Sequence, residues 1–178
     1  MEFLRTDRLI IRKFQDSDFD DFYEYAADAE MSRMMGRDLI TDRKSAMPTF
    51  LWLKDHEPRG YALELKENGK VIGNLTVCDP SDLVKTMDET RDKAGKSISF
   101  SISRAYQRRG LMSEALHAVI ELLFREENVD YINCGYLDFN VPSRELQKKL
   151  GFVGLTTESF QQNGENYTAV EQILWNHS

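Results

Sequence analysis

The sequence is poor in the residues that mark metal centres, disulfide frameworks and membrane spans. Its 178 residues include only two cysteines, three histidines and four prolines. Cys78 and Cys134 are far apart, and His56, His117 and His177 are isolated, so neither metal-ligand nor redox spacing occurs. No apolar run approaches the roughly 18 residues that a membrane helix needs. We therefore expect a cytoplasmic protein that binds no metal and enters no membrane.

An excess of positive charge is also lacking. Asp and Glu number 30 against 23 Lys and Arg, which gives a net charge of −7. Such a chain is disfavoured as a general binder of nucleic acid or anionic membrane. Residues 1–5 show neither an apolar run nor a cleavage site, so we expect no signal peptide. With 41% apolar residues, residues 1–178 are predicted to form one domain.

A tight basic turn lies at the centre of the predicted fold. A β-rich run, Ser97–Ser103, precedes the turn, and an amphipathic helix follows it. The helix has apolar residues at i, i+3, i+4, i+7 and i+8, namely Leu116, Val119, Ile120, Leu123 and Phe124. In the turn, Gly110 can take a positive φ, and Arg108 and Arg109 add charge. Backbone N–H groups at such a helix start bind pyrophosphate, so we predict a site for a small polyanion.

The remaining periodicities predict a mixed sheet. Strands are expected over residues 8–12, 60–65, 70–77, 97–103, 131–137, 152–162 and 165–175, and further helices after Asp16, over 41–54 and after Pro142. Asn68-Gly69 and Asn163-Gly164 favour type I′ hairpin turns. The polar stretch 79–96 is expected to be a mobile flap or an oligomer contact. The predicted class is α/β (α+β), with about seven mostly antiparallel strands and helices on both faces.

Two motifs resemble those of the GNAT N-acetyltransferase superfamily. The segment Gln107–Met112 is similar to its pyrophosphate loop, Q/R-x-x-G-x-G/A, except that Met112 stands where the pattern has Gly or Ala. Further on, Asn140–Phe152 resembles the family's N-x-x-S/A…K-x-G-F segment. Met112 and the opening Leu4–Arg12 are similar to the ribosomal-protein-alanine acetyltransferase (Rim-type) branch. The resemblance implies the GNAT fold and acetyl-CoA as co-substrate.

The resemblance also implies which residues hold acetyl-CoA. They are Ile102, Ser103, Gln107, Arg108, Arg109, Gly110, Leu111, Met112, Ser113 and Asn140. Residues 107–113 would bind the pyrophosphate, and Asn140 would bind the pantetheine arm, although a turn or cap residue is the alternative interpretation. The oxyanion would be stabilised by a backbone N–H near Phe100–Ile102.

The acid and the base are less strongly marked. The family often protonates the leaving thiol with a Tyr four residues before the Gly-Phe pair, where this chain has Gln147. Ser143 is then the predicted acid, with Tyr136 and Tyr167 as weaker alternatives. The predicted bases are Glu64 and Glu171, each with the alternative of a plain surface carboxylate, and a water relay is a further option. No metal is expected to take part.

The resemblance implies that the acceptor is a primary amine, which attacks acetyl-CoA directly in a ternary complex. Since no strong base is marked in the sequence, the acceptor should be an amine that loses its proton easily. Deprotonating an α-amino group requires about 3.4 kcal/mol less free energy than deprotonating a Lys amine, so a weak base suffices. We therefore predict a peptide or protein N-terminus as acceptor. The alternatives are a polyamine or cationic antibiotic, or a non-catalytic acyl-CoA-binding module. A homodimer is an option, since dimers are common in the family.

The resemblance also suggests a wall that binds the acceptor, with plain core as the alternative interpretation. Its residues would be Met31, Met34, Met35, Phe50, Trp52 and Leu53.

Overall fold

A computed structural model describes residues 2–55, 59–162 and 164–177. Within these residues, eight strands form one sheet, and six α-helices accompany it. The strands are β1 (Glu2–Arg5), β2 (Leu9–Lys13), β3 (Arg59–Leu65), β4 (Val71–Cys78), β5 (Gly95–Ile102), β6 (Tyr131–Leu137), β7 (Val153–Gln162) and β8 (Glu165–Trp175). The helices are α1 (Phe19–Ala26), α2 (Ala29–Met34), α3 (Arg43–Asp55), α4 (Asp82–Lys85), α5 (Leu111–Glu126) and α6 (Val141–Lys149). No helix in these ranges is long and apolar enough to cross a membrane.

The sheet is mixed and mostly antiparallel, as predicted. Its strand order is β1-β2-β3-β4-β5-β6-β8-β7, and only the β5–β6 pair is parallel. The prediction of about seven strands missed β1, which pairs with β2 through Leu4 and Ile11. It also missed the short helices α2 and α4, because runs of six and four residues show too little periodicity.

Helices cover both faces of the sheet and create two hydrophobic cores. Alternate residues of β3 point to opposite faces, so Leu63 joins the core under α5 while Ala62 joins the core under α1 and α3. Strand β4 lies between the two cores and is buried over residues 71–77. The second core is rich in aromatic contacts, for instance between Phe19 and Phe50, whose ring centroids lie 5.1 Å apart. The first core holds α5 against the face of the sheet opposite to α1 and α3.

Two local expectations differ from the structure. The turn between β3 and β4 is not type I′, since Gly69 has φ 73° but Asn68 has no positive φ, and the two strands are separated by residues 66–70. The stretch 79–96 is not a free flap, because Val84 and Thr90 are buried and Val84 packs with Tyr131. Asn163, in the other predicted turn, lies outside the described residues.

Candidate active site

A cleft opens where β5 and β6 separate. Their parallel ladder joins only Gly95–Ser97 to Tyr131–Asn133, although β5 continues to Ile102 and β6 to Leu137. On its other side β5 keeps β4 as an antiparallel partner as far as Ile102. The edge of β5 that faces β6 therefore has backbone groups with no strand partner beyond Ser97.

The hydrogen-bond pattern decides which groups of β5 face the opening. Ser103 N donates to Ile72 O of β4 at 2.8 Å, so its N–H is used within the sheet. Because N–H groups alternate along a strand, those of Phe100 and Ile102 point away from β4 and toward the opening. The Ser103 N–H, which was expected to contact the pantetheine arm, is thus used by β4, whereas the Ile102 N–H faces the opening and the Ile102 carbonyl accepts from Gln107 Nε2 at 3.3 Å. Contacts of both residues with pantetheine stay predictions.

The predicted polyanion turn follows β5 and ends at the first residue of α5. Two residues of the turn, separated by one position, have a left-handed backbone conformation: Arg108 with φ 61° and Gly110 with φ 77°. Gly110 is the N-cap of the 16-residue helix α5 and provides no side-chain cap, so the first N–H groups of the helix are available. A positive φ at the non-glycine Arg108 is strained and is typical of ligand-binding turns. The geometry fits a pyrophosphate, because free N–H groups and the helix dipole converge there.

Thr6 and Arg8, which lie between β1 and β2, form hydrogen bonds that hold the turn in place. Glu114 in the first turn of α5 accepts hydrogen bonds from Thr6 Oγ1 at 2.5 Å and from Arg8 Nε at 2.7 Å. Arg8 also donates from Nη1 to the Arg109 carbonyl at 3.0 Å. Burial raises the pKa of Glu114, but the hydrogen bonds from Thr6 and Arg8 together outweigh it, and the pKa is lowered. An ionised Glu114 thus fastens the turn to the sheet.

The cleft has a volume of about 1120 Å³ and brings together most of the predicted site residues. Those that line it are Ile102, Gln107, Arg108, Gly110, Leu111, Met112, Ser113, Asn140, Ser143 and Glu171. Ser103, Arg109 and Glu64 are not among the residues that line it. The Arg109 guanidinium lies over the Tyr106 ring, 5.1 Å from its centroid, and its contact with acetyl-CoA stays a prediction.

Glu171 projects from β8 into the cleft. Its Oε2 accepts a hydrogen bond from Asn133 Nδ2 at 2.6 Å, and it forms no ion pair among the described residues. Gly135 makes room for it, since a Cβ at that position would lie 2.7 Å from Glu171 Oε1. Burial, and secondly the nearby Glu171 carboxylate, raise the pKa of Cys134, so this thiol stays protonated. A carboxylate with one neutral partner can accept a proton from an amine.

Glu64, the other predicted base, is placed elsewhere. Its Oε2 accepts from Arg12 Nε at 2.5 Å, and the same guanidinium donates to Asp18 at 2.7 and 2.9 Å. Hydrogen bonding to Asp18, partly offset by burial and reinforced by Glu64, raises the pKa of Arg12. Glu64 is therefore held in an ion-pair network and is not among the residues that line the cleft, unlike Glu171.

Ser143 and Asn140 lie at the first turn of α6. Asn140 is the N-cap, whose Oδ1 accepts from Ser143 N at 3.1 Å, and its Nδ2 donates to Met34 O at 3.0 Å. Both ends of the Asn140 amide thus have structural partners, which is the cap role that the sequence left open; its contact with pantetheine stays a prediction. The Ser143 hydroxyl lines the cleft and accepts from Gln147 Nε2 at 3.1 Å.

Three of the six residues predicted for the acceptor wall line the cleft. They are Met31 and Met34 of α2, and Met35, which directly follows α2. The three residues of α3 do not, since Phe50 and Leu53 are buried in the second core and Trp52 is exposed on the outer side of the helix. The core interpretation is confirmed for Phe50 and Leu53, whereas Trp52 lies in neither the cleft nor the core.

Several cleft residues were not predicted. Asn133 is 3% exposed and interrupts the apolar strand β6, a signal that the sequence contains. Phe160 of β7 and Lys149 of α6 also line the cleft, but nothing in their local pattern marks them. Of the alternative acids, Tyr136 lines the cleft, whereas the Tyr167 hydroxyl donates to Glu165 at 2.8 Å. Within the described ranges, no group of three or more His, Cys, Asp or Glu side chains is arranged to hold a metal ion.

A sheet that opens between two parallel strands, with a turn at the opening that fits a pyrophosphate, matches the GNAT fold that the sequence motifs imply. Residues 8–153 match the family model described as "Acetyltransferase (GNAT) domain", and the chain therefore belongs to the GNAT family. It is an acetyltransferase, and the family implies acetyl-CoA as its co-substrate.

Known proteins resemble the chain over most of its length. It is 27% identical over 156 residues to an uncharacterized N-acetyltransferase, p20, from Bacillus licheniformis, covering 85% of this chain and 83% of that protein. A GNAT-family acetyltransferase structure from Bacillus anthracis superposes with a TM-score of 0.83 at 17% identity, covering 99% of both chains. The ribosomal-protein-S5-alanine acetyltransferase of Vibrio fischeri superposes with a TM-score of 0.72 at 17% identity, covering 99% and 97%. At these identities the two structures establish the fold.

Proposed function

We propose that the enzyme acetylates the N-terminal α-amino group of a peptide or protein, by direct attack on acetyl-CoA in a ternary complex in the cytoplasm. The observation that carries the proposal is that Glu171 and Ser143 line one cleft, together with the free edge of β5. An α-amino group loses its proton near neutral pH, so one weakly partnered carboxylate is a sufficient base. The likeness to a Rim-type fold supports the same acceptor class.

The proposed chemistry uses three groups of this chain. The acceptor ammonium gives one proton to Glu171, and the neutral nitrogen attacks the thioester carbonyl carbon. The N–H groups of Phe100 and Ile102 stabilise the resulting oxyanion, because they point into the opening. Collapse breaks the C–S bond, and the sulfur takes a proton through Ser143 while the amide nitrogen releases its second proton. The products are the amide, the CoA thiol and one proton.

The co-substrate would be held mainly by backbone groups. The N–H groups at the start of α5 would bind the pyrophosphate, with Arg108 adding positive charge. Ile102 would pair with the pantetheine arm as a further strand does, since its N–H has no strand partner on that side. Lys149 brings a second cation to the same cleft.

The experiment that tests the acceptor class is a panel of amines. Release of the CoA thiol from acetyl-CoA is measured with peptides that begin with Ala, Ser or Thr, with the same peptides blocked at the N-terminus and carrying an internal Lys, with spermidine and with an aminoglycoside. We expect turnover with the free N-termini alone. Turnover with spermidine or the aminoglycoside alone, or with none of the panel, would overturn the proposed acceptor and leave the family assignment standing.

A further inference from the structure

Gln147 stands on α6 where the family often has a tyrosine, one helical turn after Ser143. Its side chain is fully buried, and its Nε2 lies 3.1 Å from Ser143 Oγ and 3.4 Å from the carbonyl oxygen of Gly135. Ser143 lines the cleft, whereas Gln147 is not among its lining residues. Any effect of the amide on chemistry in the cleft must therefore pass through its two partners, the Ser143 hydroxyl and the Gly135 carbonyl, which both belong to residues that line the cleft.

The neighbours of Gln147 determine how its amide is oriented. A carbonyl oxygen can only accept, so the group nearest Gly135 O must be the NH₂ and not the amide oxygen. The same NH₂ then donates to Ser143 Oγ. A hydroxyl that accepts from this side keeps its single proton for another direction, and the cleft is the open side of Ser143.

Burying the Gln147 side chain destabilises the folded state, which argues against a role in core packing alone. Its Oε1 is buried and has no hydrogen-bond partner among the described residues. A buried amide oxygen without a partner destabilises the folded state, and an apolar side chain of the same shape would avoid that penalty. The NH₂ end is the part of the side chain that has partners.

We propose that Gln147 is a positioning residue for Ser143: its amide donates to the Ser143 oxygen and so directs the hydroxyl proton into the cleft, toward the departing sulfur of CoA. This inference rests on the proposed role of Ser143. A hydroxyl already oriented donates to the developing thiolate without first giving up another partner. The amide itself transfers no proton, because its NH₂ is not an acid at neutral pH.

The test is the pKa of the CoA thiol when CoA is bound to the enzyme. Thiolate absorbance is followed against pH, with desulfo-CoA as the blank that subtracts the protein's own thiols. A directed hydroxyl stabilises the thiolate, so Gln147→Met is expected to raise the thiol pKa by about one unit, a tenfold change in proton affinity. Ser143→Ala should raise it at least as much. In the double variant, Gln147→Met should add nothing, because its effect passes through the missing hydroxyl.

The outcomes separate the two claims. If Ser143→Ala raises the thiol pKa but Gln147→Met leaves it unchanged, or shifts it equally with and without the Ser143 hydroxyl, this inference fails and the role of Ser143 stands. If Ser143→Ala leaves the pKa unchanged, the proposed acid fails and this inference with it. Thermal unfolding monitors the fold, and Gln147→Leu replaces Gln147→Met if the latter does not fold.

Discussion

The two walls of the cleft are built in different ways. Apart from Asn140, the wall predicted to hold CoA comes from one continuous stretch, the end of β5, the turn and the start of α5, and it offers mainly backbone N–H groups. The opposite wall gathers side chains from distant parts of the chain, including Met34 of α2, Phe160 of β7 and Glu171 of β8. A backbone site needs a particular conformation, whereas a side-chain site needs particular residues. Substitutions in the two walls should therefore have different kinetic signatures.

The largest expected effect concerns the base. Glu171→Gln removes the proton acceptor but keeps the size of the side chain, so kcat should fall about 100-fold or more while the KM for acetyl-CoA changes little. The matched control is Glu64→Gln, which loses an ion pair outside the cleft and should lower the unfolding temperature without lowering kcat. Steady-state kinetics with the best peptide of the panel checks both. A Glu171→Gln enzyme with near-normal kcat would move the base elsewhere.

A second comparison tests the conformation of the turn before α5, in the wall predicted to hold CoA. Gly110→Ala forces a Cβ into φ 77°, which costs about 1–2 kcal/mol and should raise the KM for acetyl-CoA about tenfold as the turn relaxes. Gly69→Ala is the control, since Gly69 has φ 73° in the β3–β4 turn and a Cβ there meets nothing within 4 Å. Both variants should lose stability in thermal unfolding. Equal KM values for the two would contradict the role of the turn.

A substitution in the wall opposite to the one predicted to hold CoA should have an effect of intermediate size, on the KM for the acceptor. Met34→Ala removes apolar contact in the cleft and should raise the acceptor KM about fivefold, which corresponds to about 1 kcal/mol. The KM for acetyl-CoA should stay unchanged. Met47→Ala, on the exposed side of α3, is the control and should change neither constant. A rise in the acetyl-CoA KM alone would mean that α2 belongs to the CoA wall.

The smallest effect concerns the support of the turn and its dependence on pH. Glu114→Gln breaks the ion pair with Arg8 and should raise the KM for acetyl-CoA about threefold, whereas Glu121→Gln, on the exposed face of the same helix, should not. Because the pKa of Glu114 is lowered in the folded state, its contribution to stability is present above the ordinary carboxyl pKa of about 4.3 and is lost as the pH falls through the lowered value. Acid unfolding monitored by circular dichroism should lose this component in Glu114→Gln. Identical acid-unfolding transitions in Glu114→Gln and the unchanged enzyme would argue against a stabilising role for the Glu114–Arg8 ion pair.

Much of the site could be predicted because it is local. The turn from Gln107 to Gly110 follows a strand and starts a helix, and a positive φ at Gly110 follows from the absence of a Cβ. Strands β6 and β8 were predicted with their observed bounds, because alternation and turn residues are local signals. The positive φ of Arg108 was not predicted, since nothing in an arginine favours it and the surrounding turn imposes it.

The two predicted bases show what the sequence alone leaves open. Glu64 and Glu171 both lie on strands and look equivalent in the sequence, so local pattern does not distinguish them. Register decides between them: β3 pairs Glu64 with Ile10 beside the Arg12 guanidinium, whereas β8 pairs Glu171 with Gly135 at the opening of the sheet. The sequence by itself determined the family motifs, seven of the eight strands along the chain and the basic turn. Only the tertiary structure decided which carboxylate lies in the cleft, because that depends on strands brought together from distant parts of the chain.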